Sequence, residues 1–198
     1  MAGRTKGSGF TLIEMMVGLA ILALLLLLGM PTFTTFVRNS EIRSTAESLV
    51  NGLRAASAEA TRQNAHVRFT LTTAGSSSWA INVVQDPASN TDCATLVQPP
   101  VQSYAKKEAG ASSTVATTPA DKLTVCFNGL GRIINQGVLP SDHVQQIDVA
   151  SVVAGEARPL RIIVDDPAPP VAGKPRGLRM CDPDPALAAL APPDPRAC

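Results

Sequence analysis

Aromatic side chains are scarce in this 198-residue chain, at one Trp, one Tyr and five Phe, and histidine is scarcer, at two. Two histidines (His66 and His143) and four cysteines without a Cys-x-x-Cys pair supply no ligand set for a tetrahedral zinc site. No metal and no cofactor is expected. Charge of one sign is missing as well. With 17 basic and 16 acidic residues, the chain has no global field with which to coat a nucleic acid, and charge-driven contact must come from a local patch. Catalytic constellations are absent too. Asp142-His143 has the order of an orienting carboxylate and a base, but no serine stands in a nucleophile elbow, and beside Pro140-Ser141 the pair reads as a surface turn. Gly129-Leu130-Gly131 reads as a turn, since no Gly-Lys-Ser/Thr follows to cradle a phosphate. Cys126 lies in a strand pattern and reads as a disulfide partner rather than a nucleophile, and Asp165-Asp166 at a strand end reads as a solvated turn. The chain reads as a non-enzyme with no small-molecule substrate.

What is present is very unevenly placed. From Phe10 to Met30 the only charge is Glu14, and almost every other residue is apolar. Such a run, at ~1.5 Å per helical residue, spans about 30 Å, the hydrocarbon thickness of a bilayer. A secretory signal peptide is the alternative, but the run is too long, and Pro31-Thr32-Phe33 after it is a poor small-residue cleavage site. Arg4 and Lys6 ahead of the run place the N-terminus in the cytoplasm by the positive-inside bias. Everything after Met30 then faces the periplasm or the exterior, where cysteines can pair.

The order Lys6-Gly7-Ser8-Gly9-Phe10-Thr11-Leu12-Ile13-Glu14 is unusual, because a carboxylate just inside a membrane helix is costly and marks function. These residues closely resemble the type IV pilin and pseudopilin family with its class III signal peptide. The resemblance implies cleavage between Gly9 and Phe10 by a membrane prepilin peptidase, N-methylation of Phe10, and a Glu14 that neutralises the terminal amine of a neighbouring subunit. It also implies an inner-membrane protein, single-pass, with a periplasmic head, whose partners are other pilin subunits and the peptidase.

Pro31 lacks a backbone donor and is expected to kink or loosen the helix. Beyond it Phe33, Phe36, Val37, Ile42, Ala46, Leu49, Val50, Leu53, Ala56 and Ala60 recur at helical steps, with Arg38, Glu41, Arg43, Glu47, Arg54, Glu59 and Arg62 off the stripe. A helix to about Gln63 would be roughly 80 Å long, and its second half can bury its stripe against a following sheet. A coiled-coil dimer is the competing arrangement, with a seam weak in large residues after Leu53.

After Asn64 the period changes to two. Val67, Phe69 and Leu71 alternate with polar residues, as do Trp79, Ile81 and Val83; further strands are expected over 122–127, 147–151, 160–164 and 177–181. Asn128-Gly129 is a turn signal. The stretch Pro87–Pro119 reads as a long loop with one short strand near Leu96–Gln102, Pro167–Pro175 as another loop, and the Pro/Ala-rich tail as poorly ordered unless Cys198 pins it. The expected fold is α+β and pilin-like, a long N-terminal helix packed on a C-terminal antiparallel sheet. Its divisions are a leader 1–9, a transmembrane or filament-core helix 10–30, an amphipathic helix 31–64 and a head 65–198.

Within the family, Cys126-Phe127-Asn128-Gly129-Leu130-Gly131-Arg132 and the segment from Arg176 to Pro183 are similar to the GspH/FimT branch. Cys93, Cys126, Cys181 and Cys198 allow three connectivities; pairing 93 with 126 and 181 with 198 closes the nearest loops, at ~2–4 kcal/mol each. Lys174, Arg176 and Arg179 form a basic tip with no acid before Asp182, and strand alternation puts Arg179 on an exposed face. In FimT-like minor pilins of naturally competent bacteria a Gly-Arg-x-Arg segment before a cysteine is associated with DNA; here Gly177 holds the first arginine position. The tip then offers weak, salt-sensitive contact to double-stranded DNA without sequence specificity, which Arg132, Arg158 and Arg161 could join, or it is a solvated edge that blocks strand-edge aggregation. The expected function is a FimT-like minor type IV pilin. The alternatives are a GspH-like minor pseudopilin of a type II secretion system and an anchored periplasmic binding module that never polymerises.

Overall fold

The computed structural model describes residues 9–84, 93, 96–97, 99–106, 113–134, 143–153, 155, 157–164, 178–190 and 194–198, with backbone only at 28–32. It divides into two units, Met1–Val37 and Arg38–Cys198. Helix α1 (Leu12–Gln63) begins in the first and ends in the second.

In the first unit every described large apolar side chain from Phe10 to Leu27 is at least 50% exposed, as are Phe33 and Phe36. A bare apolar helix surface of this extent has no stable existence in water and requires lipid or partner helices. Among the described residues no helix is long and apolar enough to cross a membrane; the described apolar stretch stops at Leu27, because the side chains of 28–32 lie outside them. The helix is assigned without a break through position 31. Pro31, expected to kink or loosen the helix, does not end it.

Among the described residues the second unit holds eight strands in two antiparallel sheets rather than one. The first sheet has the order β3 (Gln102–Tyr104), β2 (Trp79–Val83), β1 (Val67–Leu71), β5 (Thr124–Phe127); the second has β4 (Ser113–Thr118), β6 (Gln146–Ser151), β7 (Leu160–Ile163), β8 (Arg179–Cys181). Period two works as expected in β1, where Val67, Phe69 and Leu71 are buried and Arg68 and Thr70 less so. The bridge between Gly75 and Val115 joins the end of one sheet to the edge of the other.

From α1 the residues Ile42, Ala46, Leu49, Val50, Leu53, Ala56 and Ala60 bury in one core with Phe69, Trp79 and Ile81 of the first sheet and Val115, Ile147, Val149 and Ile162 of the second. Each fully buried Leu or Ile here contributes about 1.5–3 kcal/mol. The stripe thus begins at Ile42. Phe33, Phe36 and Val37, expected on it, are exposed in the first unit. Polar contacts reinforce the packing on one side: Lys106 Nζ donates to Glu41 Oε1 at 2.9 Å and to Ser113 Oγ at 2.7 Å, tying the helix to the segment between β3 and β4.

The stretch 87–119 departs most from expectation. It contains β3 and all of β4, whereas Leu96 makes only an isolated bridge to Val84. Ser-Thr-Val-Ala-Thr-Thr reads as loop by polarity, yet its β-branched residues suit a pleated surface, and a six-pair register with β6 holds it. The tail is ordered where described. Cys181–Cys198 closes it, Asp182 bridges Ala197, and a short helix α2 (Pro185–Ala188) starts on an Asp184 cap. His143, expected on a surface turn, is fully buried; Asp142, Asp165 and Asp166 lie outside the described residues.

Candidate functional site

The first candidate site is the start of α1. Gly9, Phe10 and Thr11 precede the helix, and Phe10 is 79% exposed. A Cβ placed on Gly9 would meet nothing within 4 Å. The bond between Gly9 and Phe10 therefore lies in open, non-helical chain, the form in which a peptidase can take it into an extended cleft. Thr11 caps the start of the helix. Its Oγ1 accepts from the Glu14 backbone N–H at 3.3 Å, and its carbonyl from Met15 N–H at 3.2 Å. Thr11-Leu12-Ile13-Glu14 has the spacing of a capping box, a signal the sequence carries beside its apolar and acidic content. The cap sets where the helix starts, and with it the distance from Phe10 to Glu14. It also places Glu14 in the first turn, where a carboxylate suits the helix dipole.

The basic tip is the second candidate. Lys174, Arg176 and Gly177 lie outside the described residues. Arg179 opens β8 opposite Ile163 and is half-buried, with Nε out of contact with solvent. It was expected exposed; it is Met180 that faces outward, at 39%. The reason is that the face shared by residues 179 and 181 is the one Cys181 buries with its disulfide partner Cys198. The three further arginines are not gathered. Arg161 is held by Asp148 across β6–β7 in a two-point contact of 2.6 and 3.1 Å, which raises its pKa. Arg158 lines a cleft with Arg43 and Arg196, while Arg132 lines a different groove with Arg54.

The four cysteines form Cys93–Cys126 and Cys181–Cys198, with Cα separations of 6.5 and 5.1 Å. Arg68 covers the first from its neighbouring strand, donating to the Cys93 carbonyl at 3.0 Å. Among the described residues no group of histidine, cysteine and acidic side chains is arranged to hold a metal.

The Asn128–Arg132 segment, expected to be a turn and similar to the GspH/FimT branch, has a tightly constrained geometry. Asn128 Oδ1 accepts from the backbone N–H of Leu130 and of Arg132, each at 3.0 Å, and Ser57 Oγ donates to the Gly131 carbonyl at 2.9 Å. Gly131 has φ +71°, and a Cβ there would lie 2.8 Å from Ser57 Oγ. On Gly129 it would lie 3.0 Å from the Asn64 carbonyl carbon. Both glycines are needed for the turn to press against the end of α1.

Comparison with known proteins gives two family matches. Residues 4–30 match the prokaryotic N-terminal methylation motif, and residues 45–166 match the type II transport protein GspH. No curated protein matches in sequence. Among solved structures, the crystal structure of the Pseudomonas aeruginosa type IV minor pilin FimU is similar, at 19% identity and a TM-score of 0.44, over 65% of this chain and 86% of that one.

Proposed function

Because the chain belongs to the family of the type II transport protein GspH and carries the prokaryotic N-terminal methylation motif, we propose that it is a minor type IV pilin of the FimT-like kind. It is a low-copy, non-enzymatic subunit that primes or caps a filament. Prepilin peptidase cuts between Gly9 and Phe10, Phe10 is N-methylated, and residues 10–30 anchor the chain in the inner membrane before assembly, with the head in the periplasm.

The observation that carries this reading is the capped helix start: an accessible Gly9–Phe10 bond, then Thr11, then Glu14 in the first turn. After cleavage the Phe10 amine is cationic near neutral pH. Inside an apolar filament core that charge requires a partner, and Glu14 of an adjacent subunit supplies one. Removing one member of a buried pair leaves the other uncompensated, at a cost of about 3–5 kcal/mol. Glu14→Ala should therefore lower incorporation into sheared filaments by more than about a hundredfold, while membrane insertion and cleavage continue. Normal incorporation of the variant would refute the filament reading.

A second reading has its own support, since the match over 45–166 is to a type II transport protein: a minor pseudopilin of a type II secretion system. Co-purification with the secretion machinery in place of pilus components decides for it. Against an anchored module that never polymerises stands the set Gly9, Phe10 and Glu14, which such a module does not need. For the tip, we assign weak contact with double-stranded DNA to Lys174 and Arg176 with a lesser part for Arg179, which is half-buried. Two or three phosphate contacts give sequence-independent, strongly salt-sensitive binding.

A further inference from the structure

Leu130 is 76% exposed, the most exposed large hydrophobic side chain described in the second unit. It does not project from a floppy loop. The turn that displays it is closed by Asn128 N–H to the Arg132 carbonyl and Gly131 N–H to the Asn128 carbonyl, both at 2.8 Å, besides the side-chain bonds already given. A leucine held out into water on a turn so determined gains nothing for this fold, because its burial energy is left unused. Beside it runs a groove of about 980 Å³, with Leu53, Phe127 and Val164 in its lining and Arg54 and Arg132 on it. Six cations of this unit have a carboxylate: Arg43 has Glu47, Arg62 has Glu59, Lys106 has Glu41, Lys122 has Asp121, Arg161 has Asp148 and Arg196 has Asp194. Among the described residues no carboxylate pairs with Arg54 or Arg132. The groove therefore combines an apolar lining, an apolar knob and two guanidiniums without an acid.

We propose that the Asn128–Arg132 turn and this groove form a docking surface for the head of a neighbouring pilin-fold subunit. The partner covers Leu130 with apolar side chains and places a carboxylate between Arg54 and Arg132. The proposal rests on the filament reading and names one of its contacts. Charge complementarity selects an acidic partner. The apolar part selects a protein: a nucleic-acid backbone would engage the two arginines and leave Leu130 in water. One wall of the groove is Leu53, Arg54, Ser57 and Thr61 of α1, so the surface is built on the same helix whose N-terminal residues carry the methylation motif. Because the turn is already rigid, docking orders little chain, and the central apolar knob acts as the anchor.

The test uses the full-length chain in the producing cell. A photo-cross-linking phenylalanine derivative in place of Leu130 should give an adduct with another pilin-fold subunit, identified by mass spectrometry. An adduct confined to the chain's own residues 165–177, an adduct with DNA or lipid, or no adduct overturns the proposal. In parallel, Leu130→Asp and the pair Arg54→Glu with Arg132→Glu should each lower recovery in sheared filaments about tenfold or more. Their melting temperatures should match the parent's, since all three side chains are exposed. If both variants assemble normally while Glu14→Ala does not, this docking surface is wrong and the filament reading stands. Normal assembly of Glu14→Ala removes both.

Discussion

Replacing Gly52 by Ala sets two effects of known size against each other at one position of α1. In an exposed helix the change would stabilise by about 1 kcal/mol, because glycine has the greater backbone freedom to lose. Gly52 is not exposed. A Cβ there would lie 2.8 Å from Trp79 Cε2, 2.9 Å from Phe69 Cε2 and 3.0 Å from Trp79 Cδ2. Ordinary carbon–carbon contact is ~3.5–4.0 Å, so the rings must retreat by roughly 0.5–1 Å. They have little room to do so. Phe69 and Trp79 are 1% and 5% exposed, sit on paired strands with ring centroids 5.8 Å apart, and are rigid bodies rather than flexible chain ends. Overpacking of this kind costs about 1–3 kcal/mol. After the propensity gain a net loss of about 1 kcal/mol remains, or roughly 2–4 °C in Tm for a unit of this size. Trp79 is the only tryptophan, so a fluorescence melt of the full chain in detergent reads the affected site directly. Asn51→Ala, one residue away and exposed, is the control and should raise Tm slightly. Trp79→Phe should recover part of the loss in the double variant, as expected of residues in contact. A Gly52→Ala protein that melts above its parent would refute the close-approach argument.

Three further outcomes are expected. Loss of both disulfides, by Cys→Ser at all four positions, should cost several kcal/mol, with the Cys93–Cys126 pair (33 residues apart) contributing about 0.6 kcal/mol more than Cys181–Cys198 (17 apart) on loop entropy; denaturant melts of the two pairwise variants in the reverse order would contradict this. Glu59 is held at about 2 by hydrogen bonds from Arg62 and then Gln63, and Asp194 at about 2 by the side chain and then the backbone of Arg196. Carboxylates with pKa values lowered by folding stabilise above their unfolded pKa, so this contribution is present at neutral pH and is lost as pH falls from about 4.5 toward 2; Glu59→Gln should flatten that acid limb of a Tm-versus-pH curve, and an unchanged limb would sink the assignment. Retardation of duplex DNA by the full chain should weaken steeply between low and high salt and should drop when Lys174 and Arg176 become Ala; unchanged retardation removes the DNA contact.

Local chemistry was legible in the sequence. Helical spacing identified Ile42 through Ala60 as the buried face of α1, and alternation identified β1, β2, β6 and β7, because each element's own residues must match the period of the surface they bury. The order from Gly9 to Glu14 lies within the residues that match the N-terminal methylation motif, and the capping-box spacing of Thr11 and Glu14 stands in the same stretch. Non-local pairing was not legible. β4 is a strand because β6 lies beside it, although its own composition reads as loop. Arg179 is half-buried on the face of β8 that it shares with the buried, disulfide-bonded Cys181. Gly52 could be taken for a helix weakness until two rings were found against it. Leu130 belongs to a turn by sequence, and only the structure shows its exposure beside Arg54 and Arg132, which have no carboxylate partner among the described residues. In each case the deciding interaction joins residues far apart in the chain. Period and propensity report how one segment presents its side chains, whereas only the tertiary structure says what stands opposite them.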